Sequence, residues 1–396
     1  MLYRVKFSLM WKMFMGFAKM AVARALPKEK KNHFKDLSLV YFKLTPLCNL
    51  RCKMCGQYGD KGSMLDAGYA AAEAKTIVPL ETYKKVVDEI AGTVPIVYAW
   101  GGEPFLYPDL MPLGKYVVDK GIYFAVNTNG TLLERHAEQI VRDQWSTVFI
   151  SLDAFKETND EMRGKGSYDA VCRGIAAINA EKKKQHSSLP VLGMVTVVTN
   201  RNYQKLEEFV LATRDFNLDL HMFNLGTYTN DAIVAEQKEF MKKNFDMDIE
   251  FLEGYNTGYN ENIDGKLLYD ILQKIHDHKF GSQDGQKALG STRITVPALN
   301  PEKINIYYSE LDTPVRNHCI VPWTHCNINY NGDVHFCADY ADYIIGNIKN
   351  SSLKEIYNSD KANKFRDVIN ASPGGMFPGC LRCYQNMLFG KRIKGF

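Results

Sequence analysis

Three cysteines fall within eight residues, Cys48-Asn-Leu-Arg-Cys52-Lys-Met-Cys55, with three and then two residues between them. That spacing lets one loop wrap its thiolates around one compact inorganic group. A [4Fe–4S] cube has four iron corners, which cluster proteins normally fill with Cys. Here the loop fills three, and an open coordination position separates a reactive metal centre from a structural one. Zinc is the competing occupant, but it takes four ligands, usually from two paired sets. A second group of thiols lies near the other end of the chain. Cys319, Cys326 and Cys337 surround an Asn331-Gly332 turn signal, and Cys380-Leu-Arg-Cys383 adds a CxxC pair. Four thiolates from a hairpin and a CxxC suit zinc or a complete cube equally well. Cys172 stands alone inside a helical pattern and reads as a small buried hydrophobe.

The elements that position these residues alternate along the chain. The apolar, β-rich run Ser38–Thr45 leads into the first cysteine loop. After a Gly- and Ala-containing stretch, 56–77, which reads as a lid, strands are expected at 95–100, 122–127, 147–152, 191–199 and 218–224. Helices are expected at 79–91, 110–120, 132–143, 168–184 and 204–215. With the first strand this makes six strand–helix units, the pattern of a parallel sheet covered by helices. Ligands of such folds gather at the C-terminal strand ends. The text there is polar: Gly101-Gly-Glu-Pro104, Asn127-Thr-Asn-Gly130, Ser151-Leu-Asp153, Val198-Thr-Asn-Arg-Asn202, and His221 with Asn224. His221 reads as a hydrogen-bonded core residue. Alternation along a strand puts Ser151 and Asp153 on one face.

Composition bounds the partners. The chain has 396 residues, 45% hydrophobic and 24% charged, with a formal net charge of +4. This is ordinary folded-protein composition, with no Lys/Arg stripe to argue for nucleic acid. Nine cysteines in short-spaced groups argue against a secreted disulfide framework and for a reducing cytoplasm. P-loop, GxGxxG, HExxH and GxSxG motifs are missing. Residues 1–25 are apolar but interrupted by Arg4, Lys6, Lys12, Lys19 and Arg24, which leaves no run long enough to span a bilayer. The segment fits an amphipathic helix that packs on the catalytic domain, the favoured reading, or makes peripheral contact with a membrane. Residues 27–33 read as a polar hinge.

The CxxxCxxC loop, with apolar Met54 before its last Cys, resembles the signature of the radical S-adenosylmethionine (SAM) superfamily. Gly101-Gly-Glu-Pro104 after the second strand matches that family's GGEP motif. The resemblance implies a partial (β/α)6 barrel with Cys48, Cys52 and Cys55 on a [4Fe–4S] cluster that chelates SAM. It also implies SAM contacts from Met54, Gly101, Gly102, Glu103, Pro104, Asn127, Ser151 and Asp153. The stretch Asn159–Gly164 resembles the family segment whose Arg, here Arg163, pairs with the SAM carboxylate. Farther on, Cys-x12-Gly-x4-Cys, a Gly346-Asn-Ile348 stretch and the CxxC look like the SPASM/twitch extension. No Cys follows Cys383, which departs from the full two-cluster pattern. One auxiliary [4Fe–4S] cluster on Cys319, Cys337, Cys380 and Cys383 is implied, with Cys326 as a spare that could replace Cys319.

The resulting division is 1–37, helix and hinge; 38–228, catalytic core; 229–318, a connecting region that covers substrate; and 319–396, a SPASM/twitch-like auxiliary domain. The implied reaction is reductive SAM cleavage and hydrogen abstraction, with a net oxidation or modification of a small molecule, sugar- or lipid-linked. A flavodoxin or ferredoxin would supply electrons. A peptide maturase, in the manner of ribosomal-peptide or sulfatase maturation, is the alternative. An electron-transfer protein without catalysis is the reading from another class.

Overall fold

The protein is described from a computed structural model covering residues 7–31, 36–280, 292–295, 299–338 and 341–392. Residues 1–6, with Arg4 and Lys6, and residues 32–35 of the hinge therefore lie outside the described residues. The chain opens with helix α1, Phe7–Ala25. Six strands follow: β1 Leu39–Lys43, β2 Ile96–Trp100, β3 Tyr123–Thr128, β4 Thr147–Ser151, β5 Val191–Val197 and β6 Leu220–Asn224. Each pairs in parallel with the next. The intervening helices include Leu80–Ile90, Leu110–Asp119, Leu133–Arg142, Ser167–Lys184 and Leu206–Ala212. This is the partial (β/α)6 barrel.

Period-2 alternation divides the strands' side chains. Val40, Phe42, Val97, Phe124, Val126, Val148 and Ile150 are fully buried against the helices and form the main core. Each buried aliphatic or aromatic side chain contributes roughly 1.5–3 kcal/mol. The alternate residues face the inside of the barrel. Cys172 departs from expectation in being only partly buried. The region expected as one helix at 204–215 is a short helix, Leu206–Ala212, between two 3-10 turns.

The sheet continues beyond the six units on both sides. β7 (Arg293–Thr295) lies parallel to β6, and β8 is Arg316–Asn317. β9 (His325–Ile328) runs parallel to β1, with Leu39 opposite His325 and Val40 opposite Cys326. β10 (Asp333–His335) and β11 (Gly346–Asn347) complete one ten-stranded sheet, while β12 (Lys391–Arg392) pairs with β8. The β9–β10 hairpin signalled by Asn331-Gly332 is present, but its turn is not the two-residue I′ form that such a pair favours. Only Gly332 has a positive φ (+96°), and its N–H donates to the Asn329 carbonyl at 2.8 Å. This is a longer loop that ends on a left-handed glycine, which satisfies the same sequence signal.

Two elements close the inner face. α1 lies across the N-terminal ends of β1–β3: Met13 packs on Tyr123 and Ala125, and Met20 and Ala23 pack on Leu39 and Ile320. The helix Tyr384–Phe389 sits beside it, held by Arg24, whose guanidinium donates to the Leu388 and Phe389 carbonyls. Among the described residues no helix is long and apolar enough to cross a membrane.

Candidate active site

The cysteine loop leaves β1 at its C-terminal end and is held from three sides. Gly102 N–H donates to the Thr45 carbonyl at 2.9 Å, and Glu103 N–H to the Leu47 carbonyl at 2.7 Å. A Cβ on Gly102 would sit 2.0 Å from the Leu47 oxygen, and one on Gly101 (φ +153°) 2.8 Å from the Thr45 oxygen. The close approach these glycines permit is to the entry of the cluster loop, where no side chain fits. From β3, Asn129 Nδ2 donates to Asn49 Oδ1 at 2.8 Å and reaches Cys48 Sγ at 3.9 Å. Above the loop, the 3-10 segment Phe251–Tyr255 places the Tyr255 ring against Gly56.

Glu103 does not face the inside of the barrel. It is fully buried, and its carboxylate accepts from Thr128 Oγ1 (2.7 Å), Asn129 N (2.8 Å) and Phe105 N (3.1 Å). Burial pushes its pKa up to about 7, against the pull of those three donors. It fastens the end of β2 to the end of β3. Pro104 is buried and opens the 3-10 turn that follows.

The three thiols are partly buried, and Cys52 senses the charges of both others. Burial pushes the thiols of Cys48 and Cys52 up to about 11 and about 12. Their deprotonation therefore awaits a metal, which releases the protons on binding. Backbone N–H groups already point at sulfur: Leu50 N lies 3.5 Å from Cys48 Sγ and Gln57 N 3.4 Å from Cys55 Sγ. Such hydrogen bonds to sulfur accompany Fe–S ligation and tune its potential. Among the described residues no three His, Cys, Asp or Glu side chains converge tightly enough to hold one bare metal ion. The donor set, three thiols with N–H donors around them, fits an iron–sulfur cluster. Met54 is half-buried within the loop.

Asn127 and Ser151 face the interior, with Trp100 and Asn224, at the C-terminal ends of their strands. Asp153 does not join them. It is fully buried, accepting from Val197 N at 2.8 Å and from Arg163 Nε at 2.6 Å. Arg163 is the last residue of a helix, Lys156–Arg163. Its carbonyl oxygen lies 3.8 Å from Cys52 Sγ. Among the described residues the Arg163 side chain bonds protein through Nε, to Asp153, which leaves the outer edge of the fork for an anion.

Sequence reasoning passed over Lys43. It ends β1 on the inner face, 4% exposed, with its ammonium 5.4–5.9 Å from the Tyr330, Trp100 and Phe251 ring centres. Burial lowers its pKa to about 8, partly offset by Cys55 and Glu73. The signal was a lone charge at an inward position of an apolar strand. His221 is a core residue: its Nε2 bonds Thr196 Oγ1 at 2.9 Å, and it stacks on Phe223.

In the second cysteine group, Cys319, Cys380 and Cys383 are buried, and Cys319 senses the Cys380 thiol. Cys337 is half-buried and follows β10. Cys326 lies opposite Val40 on the helix-facing side of the sheet, where its neighbours include Arg366. Its charged neighbours are Arg366 and Glu89, whereas those of Cys319 are Cys380 and Lys31.

The interior is a cavity of about 460 Å³. Its floor and sides are Tyr41, Tyr98, Tyr123, Phe149 and Met222, and α1 and the helix Tyr384–Phe389 line the remainder.

Comparison with known proteins agrees with this geometry. Residues 42–212 match the radical SAM superfamily model, and residues 319–384 match an iron–sulfur cluster-binding (SPASM) domain. The chain is 34% identical to an Fe-coproporphyrin III synthase of Methanosarcina barkeri, over 39% of this chain and 37% of that protein. It thus spans well under half the length of that relative. It is 33% identical to the antilisterial bacteriocin subtilosin biosynthesis protein AlbA of Bacillus subtilis, over 82% of this chain and 60% of that one. In fold it resembles SuiB of Streptococcus suis bound to S-adenosylmethionine (TM-score 0.61, 16% identity, 93% of this chain and 79% of that one). The chain is a member of the radical SAM superfamily with a C-terminal SPASM domain, and the cofactors these two domains bring are [4Fe–4S] clusters and S-adenosylmethionine.

Proposed function

We propose that this protein is a radical SAM enzyme that removes a hydrogen atom from an organic substrate held inside the barrel, with net oxidation of a small molecule. Cys48, Cys52 and Cys55 would hold the SAM-binding cluster, and Cys319, Cys337, Cys380 and Cys383 the auxiliary one. When bound, the first supplies the electron that splits SAM into methionine and a 5′-deoxyadenosyl radical, and the second an acceptor for a substrate electron. The chain's own residues position and enclose. Arg163, with Nε tied to Asp153, presents its remaining N–H groups to the SAM carboxylate. Gly101–Pro104 set the loop, and Met54 packs within it. Asn127, Ser151 and Asn224 offer hydrogen bonds at the polar end of the cavity.

One observation carries this reading: the interior cavity is polar at the strand ends nearest the cysteine loop and at Gln385, and is otherwise lined mainly by aromatic and aliphatic side chains, which suits a bound organic molecule. A peptide substrate is the second reading. It is favoured by the relatives, among them AlbA, SuiB in a structure bound to precursor peptide SuiA, and anSMEcpe in one bound to a peptide. A flavodoxin or ferredoxin is proposed as reductant, and the cytoplasm as location.

The test is anaerobic reconstitution with iron and sulfide, reduction with dithionite and incubation with SAM. 5′-Deoxyadenosine should form, and a Cys52→Ala variant should form none. A fully iron-loaded protein that leaves SAM intact would be an electron carrier instead.

A further inference from the structure

α1 is apolar on both faces. Its buried stripe, Met13, Gly16, Met20 and Ala23, follows the 3–4–3 spacing of one helix face and packs on the barrel. Around the rest of the helix stand Trp11 (56% exposed), Phe14 (61%), Met15 (39%), Phe17 (55%) and Val22 (48%). These are half of the ten large apolar side chains exposed among the described residues, gathered on one helix. A water-facing helix surface is ordinarily polar, and a concentration of this kind marks an interaction surface. The charges are mainly basic: from residue 7 to 28 the sequence has Lys12, Lys19, Arg24 and Lys28 and no carboxylate, with Lys19 paired to Asp36 at 2.8 Å and Arg24 bonded to the Leu388 and Phe389 carbonyls. Exposed aromatic and aliphatic side chains with an excess of basic residues along the helix match an anionic bilayer interface.

The same helix bounds the interior cavity. Phe17 lines the cavity and is exposed, as is Leu388 (42%) from the neighbouring helix, so these two stand at its rim. From that rim the wall runs through Met13, Met20, Tyr123 and Phe149 to Asn127 and Ser151 at the polar end. An apolar passage thus connects the lipid-like face of α1 with the proposed reaction site.

We infer that the substrate is a lipid: its hydrocarbon chain occupies this passage, its head group lies among Asn127, Ser151 and Asn224, and α1 rests on the anionic membrane from which it is taken. The inference deepens the proposed function and depends on it for the chemistry at the head group. It requires no membrane span.

Two binding measurements without SAM test it. Full-length protein should co-sediment with phosphatidylcholine vesicles containing phosphatidylglycerol, less so in high salt. Trp11→Glu/Phe14→Glu, both at exposed positions, should weaken that binding at least about tenfold. Dansyl-undecanoic acid should bind with enhanced fluorescence, and Leu388→Trp at the rim or Ala125→Phe on the floor should weaken it about tenfold. Leu388 is exposed, so its variant guards against misfolding of the buried one. Equal pelleting of wild type and the double variant, or probe binding indifferent to both cavity variants, would overturn the inference. So would displacement of the probe by peptides but not by phospholipid. 5′-Deoxyadenosine formation by the same wild-type preparation is read separately. If it forms while the probe fails to bind, the lipid inference alone is lost; if it does not form, the radical reading is lost.

Discussion

Asp153 Oδ2 accepts from Arg163 Nε at 2.6 Å, with the two side chains 0% and 10% exposed, directly behind the cysteine loop. Breaking a buried pair by removing one partner leaves the other charge uncompensated and costs about 3–5 kcal/mol. Asp153→Ala also removes the acceptor for Val197 N–H. We expect this variant to lose several degrees in Tm before reconstitution and to bind SAM more weakly afterwards. Arg163→Lys should keep more of the stability than of the SAM affinity, since an ammonium cannot reproduce the fork. Differential scanning fluorimetry and isothermal titration separate the two effects.

Gly102→Ala places a Cβ 2.0 Å from the Leu47 carbonyl oxygen, a contact of Cβ with backbone that no rotamer relieves. The cysteine loop must shift, and the expected result is loss of about half the iron after reconstitution, leaving the auxiliary cluster's share. Gly68→Ala is the control. It lies in the helix Ala67–Glu73 with only the Asp66 side chain at 3.2 Å, and its iron content should not change.

Cys326→Ala should keep the iron of wild type, because the thiol lies on the helix-facing side of β9. Cys380→Ala should lose about half of it. The decisive reading is product: the Cys380 variant should still yield 5′-deoxyadenosine but accumulate no oxidised substrate. Equal iron loss in both variants would put Cys326 among the ligands.

Two buried groups give opposite pH dependences. Glu103, raised to about 7, favours the folded state when protonated. Its contribution is complete below the ordinary Glu value, and about 3 kcal/mol is lost as pH rises through 7. His221, lowered to about 3 by burial, folds neutral. Its contribution is complete above pH 6.5 and is lost as pH falls toward 3, at up to about 1.4 kcal/mol per pH unit. Urea unfolding of apoprotein at pH 5, 6 and 8 should therefore show a shallower decline above pH 6 in Glu103→Gln than in wild type. Below pH 6, His221→Gln should resist acid better than wild type relative to its own neutral stability.

Much of this was written locally. The six parallel strands and their helices follow from hydrophobic periodicity, and the cysteine loop is adjacent in sequence. What escaped was long-range. The three residues of β7 carry too little pattern to announce a strand. Nothing in His325–Ile328 says that this strand will pair with β1, since partner choice is decided by tertiary packing. Alternation rightly turned Ser151 inward, but the strand ends at Ser151, so extending the same parity to Asp153 failed. Glu103 reads from its motif as a ligand contact, whereas its partners, Thr128 and Asn129, lie at the end of the next strand and just after it. Lys43 was hidden by its setting, a single cation within an apolar run.

The pairing of β9 with β1 has a consequence for electron flow. One backbone ladder carries the segment leading to Cys48 and the hairpin leading to Cys337. Were Cys48 and Cys337 to hold the two proposed clusters, the separation between these redox stations would be set by this sheet pairing, not by the closing of a mobile domain. Tunnelling distance would stay constant through turnover, and substrate would have to fit a gap that the protein does not adjust.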